Sequence, residues 1–268
     1  MLAAAHIKES NMTNTPPLQS LLDFALDAAW QAGRITLRYF QAGVEFEKKR
    51  DDSPVTIADK QSEQKLRELI AKSWPEHGII GEEFGTQKGS SPYTWIIDPI
   101  DGTKSFVHGV PIYSVLVALT EGDHSWVGVA HYPALNETIY AVRGQGCFWN
   151  GRKTHVSSVN TLADATLLAS DIKGYEERGK GEAWKRLLDS TYIQRTWGDS
   201  YGYALVATGR AEIMVDPIMW VWDCAPFQVI MEEAGGTFTD WNGKSTINAG
   251  ESIATNGVLF DQVMQMVK

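Results

Sequence analysis

The chain has 268 residues, 43% hydrophobic and 21% charged, with a formal net charge of −9. That composition supports a sizeable folded core and excludes wholesale disorder. The acidic balance excludes a generic nucleic-acid binder, because a phosphate backbone wants a basic surface; a small phosphorylated ligand held through divalent cations remains open.

In chain order, residues 1–17 read as a disordered lead-in, with Met12 an alternative start. Met1 to Ala5 is too short an apolar run for a secretory core, and no run approaches the ~18 residues of a membrane span. Leu18, Leu21, Leu22, Ala25, Ala28, Ala29, Ala32, Ile35 and Phe40 recur at a helical period, which predicts an amphipathic helix over 18–40. A polar stretch over 45–53 follows. A second helix is predicted from Thr56 or Asp59 to Pro75, burying Leu66, Leu69, Ile70 and Trp74.

The pattern then shortens. Residues 78–81, 94–97, 112–120, 126–131, 138–142 and 147–149 read as strands of a largely antiparallel sheet, punctuated by Gly and by Asn150-Gly151. From 154 onward, strands at 166–170, 192–196 and 212–215 alternate with helices at 176–188, 201–208 and 225–234. Interleaved strands and helices predict an α/β layered architecture. No linker stands out, so halves 18–153 and 154–268 form one unit. The two cysteines, Cys147 and Cys224, give no disulfide framework, and a reducing cytoplasm is the simpler setting.

Acidic chemistry concentrates in three pieces: Gly81-Glu82-Glu83, Asp98-Pro99-Ile100-Asp101-Gly102-Thr103, and Trp222-Asp223-Cys224-Ala225. Ile96 and Ile97 demand burial in a sheet, which leaves Asp98 at a strand end where a bare carboxylate is costly. Asp101 adds a second carboxylate, and Gly102-Thr103 can open a helix whose N–H groups face an anion. One turn thus offers oxygen ligands for a hard cation, Mg²⁺ first, beside donors for a phosphate. Taken alone, Asp98 and Asp101 read equally well as a turn and helix cap. Asp223 alone reads as an N-cap with Pro226 in the first turn. Trp220 and Trp222 alone read as core or interface.

Together the three pieces resemble the inositol monophosphatase family, and the resemblance extends to Ser53-Pro54-Val55-Thr56-Ile57-Ala58-Asp59 and to Gly235-Gly236. The resemblance implies an α-β-α-β-α sandwich, commonly a homodimer, hydrolysing small phosphate monoesters with two or three Mg²⁺ ions. It implies that Glu82, Asp98 and the Ile100 carbonyl hold one metal. Asp98, Asp101 and Asp223 hold a second, and a weaker third leans on Glu82. Asp59 and Thr103 form a pair that activates water, and Gly102 and Thr103 present N–H groups to phosphate. Metal-activated water as nucleophile leaves no need for a covalent phosphoenzyme. A metal-bound regulatory protein without turnover is the non-enzyme alternative; the intact acidic set argues against it.

Substrate choice falls on the second half. Trp197-Gly198-Asp199-Ser200-Tyr201-Gly202-Tyr203 carries Asp199, and Val215-Asp216-Pro217 carries Asp216, where inositol enzymes differ. This pattern resembles the family's histidinol-phosphatase branch, although that branch usually has Cys where Ser200 stands. The implied substrate is histidinol phosphate, whose amine and imidazole suit Asp199 and Asp216; Gly198 and Ser200 flank Asp199 and are candidates with it, and an inositol phosphate is the runner-up. Asp199 reads alternatively as a cap for the helix over 201–208. Trp197 is a candidate to stack on the imidazole. His108, His124, His131 and His155 show no ligand spacing.

Overall fold

The computed structural model describes residues 17–49 and 54–268. The lead-in expected over 1–17 therefore lies outside the described residues apart from Pro17.

Five layers stack in the order α-β-α-β-α. Helices α1 (Leu18–Thr36) and α2 (Ile57–Ser73) form the first. The second is an eight-stranded sheet in the order β10-β9-β8-β7-β6-β5-β3-β4. Its strands are β3 (Gly78–Gly81), β4 (Gly85–Gln87), β5 (Tyr93–Asp101), β6 (Ser114–Glu121), β7 (His124–Tyr132), β8 (Glu137–Val142), β9 (Gly146–Trp149) and β10 (Arg152–Thr154). Only the β3–β5 pair is parallel. Strands β1 (Phe46–Lys48) and β2 (Pro54–Thr56) make a separate hairpin beside α2.

Period-two alternation explains the layering. Val115, Val117 and Leu119 of β6 join Ile97, Val127 and Val129 in a core shared with Leu21, Ala25, Ala29, Leu66 and Ile70 of the first two helices. Leu116 and Ala118 point the other way, with Ile96 and Ala130, into a core shared with α6 (Ser200–Ala207) and α7 (Val221–Glu233). An added Cβ at Gly128 would lie 2.3 Å from the Pro226 carbonyl oxygen, so this glycine lets β7 and α7 approach closely.

The fourth layer has the order β12-β11-β13-β15-β14, formed by β11 (Thr166–Ala169), β12 (Ile193–Arg195), β13 (Ile213–Asp216), β14 (Thr237–Thr239) and β15 (Ser252–Thr255). Leu168, Met214 and Ala254 face α6 and α7. Leu167, Ile213, Val215 and Ile253 face the fifth layer, α5 (Gly181–Ser190) and α8 (Phe260–Val267), with α4 (Gly174–Glu177) alongside.

The local departures from the sequence reading have physical causes. The first helix stops at Thr36 instead of Phe40; Phe40 turns off to meet Phe106 and Tyr113, with ring centroids at 5.7 and 5.1 Å. The helix expected over 176–188 is broken at Gly179, which has φ +68°. No element was expected within the polar 45–53 stretch or beyond 236, yet β1, β14, β15 and α8 form there. Their short or polar runs gain stability from pairing and packing partners outside the run itself, which periodicity cannot show. Cys147 and Cys224 are buried free thiols, and no described helix is long and apolar enough to cross a membrane.

Candidate active site

The acidic turn is the last part of a buried strand. Asp98 pairs with Leu116 and Asp101 with Ser114, and the register shifts between them. That bulge bends the strand and aims both carboxylates to one side. Gly102 follows at φ +78°, a left-handed conformation that suits glycine, and five-residue helix α3 (Thr103–Val107) begins there. From the other half, α7 delivers Asp223. It is the third helical residue, not the N-cap, and its Oδ2 accepts the Trp220 N–H at 2.7 Å; Pro226 falls in the second turn.

Carboxylate oxygens of Asp98, Asp101 and Asp223 all lie within 4.8 Å of one another. Each carboxylate accepts one backbone N–H: Ile100 to Asp98 at 3.0 Å, Ser200 to Asp101 at 2.9 Å, Trp220 to Asp223 at 2.7 Å. Three negative charges with so few donors repel. Burial, then the charges of Glu82, Asp101 and Asp223, drives the Asp98 pKa well above the carboxylate range. Burial, then Asp199, pushes Asp101 up to about 8. Burial, then Asp101, raises Asp223. An all-oxygen donor set with uncompensated charge fits a hard divalent cation. Ile100 borders the cavity described below, and its carbonyl accepts the Thr103 hydroxyl at 2.9 Å.

Glu82 stands beside Asp98 at the cluster's edge. The Lys49 ammonium bridges it to Glu83 at 2.7 and 2.6 Å. Burial works against the Lys49 charge, but the two glutamates outweigh it and raise the pKa. Behind this loop, buried Glu63 accepts the Glu83 and Phe84 N–H groups at 2.6 and 3.1 Å and Arg67 Nε at 2.7 Å, while Arg67 also donates to the Gly85 carbonyl. Glu63 and Arg67 therefore clamp the hairpin that carries Glu82. Sequence reasoning missed Lys49, Glu63 and Arg67. Glu63 and Arg67 are an i,i+4 pair on α2, a common surface pattern that reveals nothing of the loop it holds.

Asp59 is fully buried. It is the third residue of α2, and its Oδ2 accepts the Thr56 N–H at 2.8 Å and the Thr56 hydroxyl at 2.6 Å. Its other oxygen is 3.4 Å from the Thr103 hydroxyl, a long contact. Burial, opposed by Thr56, brings its pKa to about 6.

Glu82, Asp98, Asp101, Thr103, Asp199 and Asp223 border a cavity of about 380 Å³, whose wall also includes Lys49, Lys104, Trp220 and Trp222. A smaller cavity of about 70 Å³ shares Asp101, Asp199 and Asp223 and adds Ser170, Ser200, Tyr203 and Asp216. Asp199 occupies the N-cap position of α6, yet its side chain makes no cap bond. An added Cβ at Gly102 would lie 2.8 Å from Asp199 Oδ2, so the carboxylate reaches across to the acidic turn. Burial raises its pKa, opposed by its own backbone N–H and by Lys104.

Asp216 differs. Its carboxylate accepts the Ser170 N–H and hydroxyl, both at 3.1 Å, and the Tyr203 hydroxyl at 2.8 Å. Burial, offset first by Tyr203, leaves it at about 7. Gly198 and Trp197 border neither cavity. Gly198 packs on Ser170, where a Cβ would lie 2.4 Å from the hydroxyl oxygen. Trp197 is 47% exposed, with the Arg195 guanidinium 6.0 Å from its ring centroid.

The sequence model of the inositol monophosphatase family matches residues 17–268. A histidinol-phosphatase from Chlorobaculum parvum is 41% identical, covering 90% of this chain and 92% of its own. One from Mycobacterium tuberculosis is 39% identical, covering 91% and 96%. The solved structure of a Thermotoga maritima IMPase superposes with a TM-score of 0.85 at 33% identity, over 92% of this chain and 96% of that one. With a family match over residues 17–268 and a relative 41% identical over 90% of its length, the chain belongs to the inositol monophosphatase family.

Proposed function

We propose that this chain is a Mg²⁺-dependent phosphomonoesterase that hydrolyses histidinol phosphate to histidinol and phosphate. The observation carrying the substrate assignment is Asp199: an uncapped carboxylate bordering both cavities beside the acidic cluster. A substrate amine would neutralise it. The names of the 41% and 39% identical relatives support the same reading.

Asp98, Asp101, Asp223, Glu82 and the Ile100 carbonyl would hold two or three ions. Bound divalent cations neutralise a phosphate monoester and lower the pKa of water, which supplies the nucleophile. Asp59, ionised at neutral pH, would accept a proton at Oδ1 through the Thr103 hydroxyl; the 3.4 Å contact would shorten with substrate bound. Backbone N–H groups of Gly102 and Thr103, with Lys104, would receive phosphate oxygens. Asp199 would orient the amine, and the polar wall of Asp216, Ser170, Ser200 and Tyr203 would keep the neighbouring subsite negative. Gly198 would serve by letting the chain just before Asp199 pack against Ser170.

We read the enzyme as a cytoplasmic homodimer; the buried free thiols suit a reducing compartment. The deciding assay compares histidinol phosphate, inositol 1-phosphate and 3′-phosphoadenosine 5′-phosphate side by side in Mg²⁺. Histidinol phosphate is expected to have the highest kcat/KM. A wide margin for inositol phosphate would overturn the role given to Asp199.

A further inference from the structure

The tryptophan pair at the start of α7 has no part in holding the metals, yet it is unusually placed. Trp220 and Trp222 stack with ring centroids 5.6 Å apart and planes inclined by 16°. Trp222 leans on the hydrophobic core, so the inner ring is fixed. Trp220 is 54% exposed and borders the 380 Å³ cavity together with Asp199 and Asp223. A large apolar ring left open to water beside carboxylates loses the stabilisation that burial would give it.

The backbone ties this ring to the acidic cluster. The Trp220 N–H donates to Asp223 Oδ2 at 2.7 Å. A phosphate held through cations at Asp98, Asp101 and Asp223 would share the cavity that Trp220 borders. A flat ring partnered on one face by Trp222 offers its other face to a planar, electron-poor group, and protonated imidazole is attracted to such a face by the ring quadrupole.

We propose that Trp220, braced by Trp222, is the platform on which the substrate's imidazole stacks, making it a specificity-determining residue of this site. The inference rests on the histidinol phosphate reading. It replaces Trp197, which borders neither cavity. Asp199 and Trp220 then divide the substrate: the carboxylate takes the amine and the indole takes the ring.

The test uses Trp220→Ala and Trp220→Phe in the full chain. The backbone N–H to Asp223 survives both substitutions, so Mn²⁺ affinity measured by calorimetry reports whether the metal cluster is intact. Steady-state kinetics are run on histidinol phosphate and on glycerol 2-phosphate, which has no ring. Binding of histidinol phosphate is titrated separately in Ca²⁺. Trp220→Ala is expected to raise KM for histidinol phosphate about tenfold, with the loss in KM more than kcat. The selectivity over glycerol 2-phosphate should fall by a similar factor, and Trp220→Phe should restore most of it. Equal losses on both substrates, or undiminished selectivity in Trp220→Ala, overturn the platform while leaving the phosphatase reading standing. Wild-type protein that binds histidinol phosphate through Trp220 without hydrolysing it supports the platform and sinks the phosphatase reading instead.

Discussion

Two sets of buried or half-buried carboxylates behave differently. Asp98, Asp101 and Asp223 accept one backbone N–H each and crowd within 4.8 Å. Asp216, across the small cavity, accepts three hydrogen bonds from Ser170 and Tyr203. Glu63 likewise accepts three, from Glu83, Phe84 and Arg67. A buried charge surrounded by donors is architecture, because the protein itself provides the solvation. A buried charge left short of donors and pressed against others is a demand for an external cation. The sets differ in how closely like charges crowd and in how many donors face each carboxylate.

The comparison breaks most directly at the cluster. Asp98→Asn or Asp223→Asn should lower kcat/KM about a thousandfold in Mg²⁺, since a lost ligand removes several kcal/mol of charge stabilisation. A variant retaining wild-type turnover would show that the cluster does not hold the catalytic metal. The next effect tests the clamp. Glu63→Gln should weaken divalent-cation affinity by ~10–100-fold through release of the loop carrying Glu82. Calorimetry with Mn²⁺ checks this, and unchanged affinity would reduce Glu63 to a helix salt bridge.

Asp216→Asn should behave in the opposite way to the cluster variants. It sets an amide nitrogen against the hydrogen-bond donors around it and should cost ~1–3 kcal/mol of stability, read from urea unfolding. Metal affinity should hold. Asp199→Asn, by contrast, should leave stability near wild type and raise KM for the cationic substrate about tenfold.

The smallest effect is a pH dependence. Asp101 sits at about 8 when folded, against an ordinary 3.8, so the metal-free fold binds more protons than the unfolded chain across that window. Stability without metal should therefore be highest at the acid end and fall as pH rises toward 8. Added Mg²⁺ should raise Tm more at pH 8 than at pH 5, because protons compete for the same oxygens. A Mg²⁺ shift independent of pH would contradict the picture of mutually repelling ligands.

Much of this was legible along the chain. The strand Trp95 to Ile97 running into Asp98, the glycine after Asp101, and the helix opened by Thr56 with Asp59 are local features of spacing and residue type. The alternation of β6 into two cores follows from period two. Less was legible where partners lie far apart. Lys49 meets Glu82 from 33 residues away, and Ser200 meets Asp101 from 99. Asp199 carries two readings in the sequence, a partner for a cationic substrate or a cap for the helix over 201–208, and only the fold shows that its side chain makes no cap bond and lies beside Gly102.

By itself the sequence pointed to the reaction class and to a candidate acidic set, because the acidic turn and the separate pieces around Asp59, Glu82 and Asp223 together match one family's pattern, although the turn alone reads equally well as a cap. Only the tertiary structure decided which carboxylates the protein surrounds with donors and which crowd together with few. It also decided that Trp220, not Trp197, shares a cavity with them. The reason is physical: hydrogen-bond satisfaction and cavity shape are set by side chains that meet only after both sheets have stacked, and local spacing carries no record of those meetings.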